Sequence, residues 1–133
     1  MAIVVTFYLV QKKNDERKIK EKLEDVLSKF QLIILSPTAL LKNNFNQNEI
    51  LLVVRTANNK LNLLTKYVEK YELKELTKEI EYIADKYNEY RVFIGDNLRD
   101  EEYLKNQKAK DNVQRLLSCI DDKCDEIKLC LYI

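Results

Sequence analysis

A chain of 133 residues, 46% hydrophobic and 34% charged, can bury one core without disulfide staples and is too short for two ordinary domains. Its formal charge of +1, from 23 basic and 22 acidic residues, gives no global field to draw nucleic acid or anionic lipid, and no apolar run approaches the ~18 residues of a membrane span. With no histidine, Ser-His and Cys-His nucleophiles, His-ligated zinc and imidazole acid/base chemistry are excluded; with a single glycine, so are the P-loop and the GxGxxG dinucleotide fingerprint.

In chain order, residues 3–10 (IVVTFYLV) are nearly continuously apolar. They lack the basic flank and small-residue cleavage site of a signal peptide and read as a strand covered on both faces. Asn14 or Asp15 then caps an amphipathic helix whose Ile19, Leu23, Val26, Leu27 and Phe30 share one stripe. Residues 31–35 (QLIIL) read as a second strand, and Ser36 with Pro37 as the N-cap and first position of a short helix to about Lys42. Residues 43–48 are polar and turn-rich.

The run 49–56 (EILLVVRT) is the expected centre of a sheet. Five consecutive large apolar residues, Ile50 to Val54, cannot all face one side, and the segment is half β-branched and bounded by turn-forming residues. Asn58 or Asn59 caps a helical segment of about 60–88, in which Leu61, Leu64 and Val68 continue as Leu76, Ile80, Ile83 and Tyr87 after a phase slip at 71–73. Residues 91–95 read as a fourth strand and 95–97 as a turn, and 99–112 is almost wholly polar. A last helix carries Val113, Leu116, Leu117 and Ile120, and the alternation in 126–133 (EIKLCLYI) reads as an edge strand.

This order predicts an α/β fold: a single domain over 1–133, built as a three-layer sandwich with a mainly parallel five-stranded sheet and helices on both faces. The alternative is a ferredoxin-like βαββαβ unit with the last helix and strand appended. That order faintly resembles small nucleic-acid-associated proteins. Where their nucleases carry an acidic residue after the first strand, Val10, Gln11 and Lys12 stand here, so no membership follows.

Ligands of such a sheet bind outside the carboxyl ends of its strands. That rule selects Gln11, Lys12 and Lys13; Ser36 and Thr38; Arg55, Thr56, Asn58, Asn59 and Lys60; and Asp96, Asn97 and Arg99. Hydroxyls, amides and cations at helix starts suit an anion or nucleotide, although the same residues serve as ordinary caps. The expected anion position is the helix start at Thr56 to Lys60, beside Ser36 and Thr38.

Asp96, Asp100, Glu101 and Glu102 offer carboxylates to Mg²⁺ but equally complement a helix dipole, and no metal or cofactor is expected. Cys119, Cys124 and Cys130 lack C-x-x-C spacing and read as reduced, buried thiols of a cytoplasmic protein. Tyr71, Glu75, Lys78 and Tyr82 fall on one helical stripe away from Leu76, Ile80 and Ile83, which suits a contact surface.

The functional expectation is a non-catalytic α/β binding module acting through a protein partner or as a homodimer. The alternative is a protein binding a nucleotide or nucleic-acid phosphodiester, with slow His-independent cleavage resting on Lys12, Lys13, Lys60 or Arg99. Abundant Lys, Asn, Ile and Tyr point to an AT-rich genome.

Overall fold

The computed structural model describes residues 2–35, 47–97 and 106–132. Among these there are four α-helices and no strand: α1 (Ala2–Leu35), α2 (Gln47–Lys70), α3 (Thr77–Asn97) and α4 (Gln107–Cys130), with a 3-10 turn at Lys74–Leu76 ahead of α3. The expected α/β sandwich with its five-stranded sheet is therefore overturned, and so is the ferredoxin-like alternative. Residues 3–10 and 31–35 belong to α1, 49–56 to α2, 91–95 to α3 and 126–130 to α4. The short helix expected at 37–42 lies outside the described residues.

The physical reason is a helical period running through the apolar segments. In α2 the inward positions are Ile50, Val54, Ala57, Leu61, Leu64 and Val68, alternating steps of four and three as in a coiled-coil seam. Leu51 and Leu52 are 49% and 64% exposed, so the five-residue apolar run is one buried edge of a helix beside two outward leucines. In α4, Ile127 and Leu131 are buried one turn apart while Leu129 between them is 71% exposed. The apparent two-residue alternation there is helical i, i+4 spacing.

Stripes from all four helices meet in one core that includes Leu27 and Phe30 of α1, Leu64 of α2, Ile83 and Tyr87 of α3, and Ile120 and Cys124 of α4. Phe30 meets Tyr87 edge-on at 5.7 Å between ring centroids, and Tyr87 meets Tyr90 at 5.8 Å. Fully burying side chains of this size stabilises by about 1.5–3 kcal/mol each before the cost of ordering them.

α1 lies beside α2 and α4, and α3 beside the same two. Gln31 faces Asp121, Ser28 faces Lys128 and Glu24 faces Tyr132, so α1 and α4 are antiparallel. Tyr87 reaches Val54 while Thr77 and Ile80 flank Thr65 and Val68, so α2 and α3 are antiparallel too. Glu79 pairs with Lys123, and Asp96 shares a groove with Asn112, which reverses α4 against α3. The result is an up-down-up-down bundle.

The phase slip at 71–73 coincides with the α2–α3 turn. Glu72 takes a left-handed φ of 53°, its N–H donates to the Glu69 carbonyl at 3.3 Å, and the Leu73 N–H donates to the Val68 carbonyl at 3.0 Å. These two bonds make a Schellman C-cap, and Leu73 packs on the core beside it. At the other end of the bundle, Asn106 caps α4 by accepting from the Lys108 N–H at 2.7 Å, inside the almost wholly polar stretch 99–112. Among the described residues no helix is long and apolar enough to cross a membrane.

Candidate interaction cleft

α1 outruns its neighbours. Its 34 residues span about 50 Å against roughly 30–35 Å for each of the other three helices. Residues 13–18 are all exposed, and from there on the first buried side chain is Leu23. Where α1 leaves the bundle, the α2–α3 turn and the last turn of α4 leave a cleft of about 650 Å³ against it.

The floor of the cleft is apolar, made by Ile19 and Leu23 of α1, Leu73 and Leu76 of the turn, and Ile127 and Leu131 of α4. Three of them are placed by the local hydrogen bonds of a turn or helix end. Leu73 is delivered by the Schellman cap, Leu76 closes the 3-10 turn by donating its N–H to the Leu73 carbonyl, and Leu131 donates its N–H to Ile127 as α4 ends. Tyr71 and Cys130 flank this floor, and Glu16, Glu75, Glu79 and Glu126 surround it with Lys20 as the cation among them.

Lys123 secures part of that rim, with its ammonium 2.9 Å from Glu79 and 3.1 Å from Glu126. Hydrogen bonds to Glu79 and then Glu126 hold the Lys123 pKa above its ordinary value, so its charge persists wherever the carboxylates are ionised. Behind it Tyr82 lies under two lysines, Lys123 at 5.0 Å and Lys86 at 5.8 Å from the ring centroid. Across α1 and α4, the Tyr132 hydroxyl donates to Glu24, which ties the end of the chain's last described turn to α1.

Of the four expected contact residues, only Tyr71 and Glu75 line the cleft. The stripe divides because the chain breaks at 71–73, so Tyr71 and Glu75 precede α3 while Lys78 and Tyr82 lie on it, exposed. Glu16, Leu73, Glu79 and Glu126 carried no separate signal in the sequence. Only the turn brings them together.

The expected anion site disperses. Ser36, Thr38 and Arg99 lie outside the described residues, as do Asp100, Glu101 and Glu102. Thr56, Asn58, Asn59 and Lys60 occupy the middle of α2, where backbone N–H groups are committed to the helix and none is left for an anion; the Thr56 hydroxyl donates to its own helix at Leu52. Asn58 shares a shallow groove with Arg55 and Arg91. Asn97 donates to the Phe93 carbonyl, and Asp96 faces α4 beside Arg115.

The thiols separate by position. Cys124 is buried, Cys119 half-buried in mid-helix and Cys130 exposed, and all three are free. Burial, and then the neighbouring Asp121 charge, pushes the Cys124 thiol up to about 12. Among the described residues no cluster of Cys, Asp and Glu is placed to hold a metal ion.

No family model matches the chain, and no curated protein or solved structure matches it.

Proposed function

We propose that this chain is a non-catalytic helical binding module whose bundle-end cleft takes a basic amphipathic helix, from a protein partner or from another copy of itself. The observation that carries this reading is the cleft's composition: an apolar floor lined at its rim by Glu16, Glu75, Glu79 and Glu126, with Lys20 among them and Lys123 shared by Glu79 and Glu126, which leaves the rim net acidic. An amphipathic helix fits such a groove by laying its apolar face on the floor and its lysines against the rim. The rim sets orientation and partner choice more than affinity. A cytoplasmic, reducing setting accords with three free thiols.

Fluorescence anisotropy with three labelled peptides of one helical design, basic, neutral and acidic on the polar face, tests the reading. The basic peptide should bind tightest and weaken with salt. Leu73→Asp should abolish its binding, and Glu75→Lys should cost about 0.5–1 kcal/mol. No binding, or equal binding of the acidic peptide, overturns it. The second reading, an anionic ligand, rests on the Arg55, Asn58 and Arg91 groove, and preferential binding of a nucleotide or of the acidic peptide, lost in Arg91→Ala, would favour it.

A further inference from the structure

We propose that the cleft is covered by the amino-terminal arm of α1 from a second copy of this chain, the two copies exchanging arms about a two-fold axis. This rests on the cleft being a binding site for a basic amphipathic helix.

α1 is one continuous helix from Ala2 to Leu35. Residues 13–18, nearly two turns, are all exposed, so solvent reaches every face of the helix there and it has already left the bundle. Ahead of them the sequence is IVVTFYLV at 3–10, followed by Gln11, Lys12 and Lys13. Consecutive apolar residues in a helix fall on all its faces, and a helix that is apolar all round is stable only when something covers it.

The arm cannot cover its own cleft. Ile19 and Leu23 of the floor belong to the same continuous helix, which carries the arm onward along its axis and away from them. A second copy solves both problems at once. With two α1 helices antiparallel where they emerge, each arm passes the other's Ile19 and Leu23, and one interface repeated twice closes the assembly.

The dimensions fit. Residues 2–12 of the arm extend about 16 Å, and the part of α1 that lines the cleft, Glu16 to Leu23, about 10 Å. The charges fit as well. Lys12 and Lys13 end the apolar arm, and Glu16 and Glu75 rim the apolar floor beside Glu79 and Glu126, which share Lys123. An arm of this composition meets both requirements of the cleft, apolar body and basic end.

The full chain supplies its own probe, because Cys130 lines the cleft and is exposed. Phe7→Cys/Cys130→Ser protein is mixed with unmodified protein under mild oxidation, and the products are mapped by peptide mass. The expected product is a disulfide between the introduced thiol and the partner subunit's Cys130. Light scattering should give a dimer for the unmodified chain and a monomer for Phe7→Asp. A monomer at every concentration overturns the proposal, and so does a dimer whose disulfides map only to Cys119. Flotation of a monomeric chain with anionic lipid vesicles, lost in Phe7→Asp, would assign the arm to lipid and overturn it too. Anisotropy with the basic peptide on Phe7→Asp separates the two readings. Peptide binding without any dimer of the unmodified chain leaves the binding module standing and the arm exchange refuted, whereas loss of both removes both.

Discussion

The phenolic hydroxyl of Tyr87 donates to the main-chain carbonyl of Val54, joining α3 to α2 in the middle of the core while the same ring stands edge-on to Phe30 of α1. Burial and the neighbouring Tyr90 raise the Tyr87 pKa, so the hydroxyl stays a donor. Tyr87→Phe keeps the ring contacts and should cost about 1 kcal/mol in urea unfolding, since the Val54 carbonyl retains its place in the α2 hydrogen-bond ladder. Tyr87→Ala empties the centre of three helices and should cost about 3–5 kcal/mol.

Gln31 is the polar residue on the buried face of α1, 7% exposed, and its amide donates at 2.8 Å to both Asp121 and Asp125 of α4. Among the described residues the amide oxygen is buried with no partner. Gln31→Leu removes that orphan oxygen and leaves two carboxylates with access to water, so stability should change by no more than about 1 kcal/mol in either direction. Gln31→Glu instead gathers three carboxylates. The new side chain's folded pKa rises above its unfolded value of about 4.3, so stability is intact in acid and is lost as pH rises through the folded pKa. Denaturation at about pH 4 and about pH 7 should show a deficit of roughly 2–4 kcal/mol confined to the higher pH.

Two glycine exchanges should both stabilise. Glu72 sits at φ 53° in the α2–α3 turn, where a side chain is strained, so Glu72→Gly should gain about 1 kcal/mol. Gly95 lies in the last turns of α3 with nothing within 4 Å of the position a Cβ would take. Gly95→Ala should add about 0.5–1 kcal/mol by limiting the unfolded chain. The effects in thermal melts of the two single variants and the double variant should add, because Glu72 lies in the turn ahead of α3 and Gly95 near the far end of that helix.

Alkali should unfold the protein through its buried acids. Burial pushes Tyr90 from 10.0 up to about 12, and Cys124 from 9.0 up to about 12. Both folded values exceed the unfolded ones, so the stabilisation is complete below about pH 9 and is lost as pH rises toward 12. The melting temperature should fall steeply above about pH 10, and Tyr90→Phe should flatten that fall. A thiol reagent at neutral pH should label Cys130 at once and Cys119 more slowly, with Cys124 reacting at the rate of global unfolding.

The helices around Leu23 to Phe30, Leu61 to Tyr87 and Val113 to Ile120 were legible in the sequence because polar residues interrupt the apolar ones at helical spacing. The break between α2 and α3 was legible as a phase slip, without the glycine that usually marks one, because the Schellman hydrogen bonds and the burial of Leu73 offset the strain at Glu72. At 3–10 and 50–54 every position is apolar or nearly so, and a continuous run satisfies a period of two as well as one of 3.6. A strand there would need pairing strands and an α2-like helix needs only facing helices, which is a property of distant chain. The core resolves it for Ile50 to Val54 by burying Ile50 and leaving Leu51 and Leu52 outside.

The zero histidine count and the single glycine excluded whole classes of chemistry from composition alone, because those mechanisms require particular residues wherever they stand. The cleft had no such signature. Its floor joins residues 19, 73 and 127, brought together by the antiparallel packing of α1 with α4 and by one turn between α2 and α3, and of the expected contact residues only Tyr71 and Glu75 fall on it. A helix periodicity states which side of each element avoids water; how far α1 runs past its neighbours, and so where an apolar face is left open, is set by where the other three helices end.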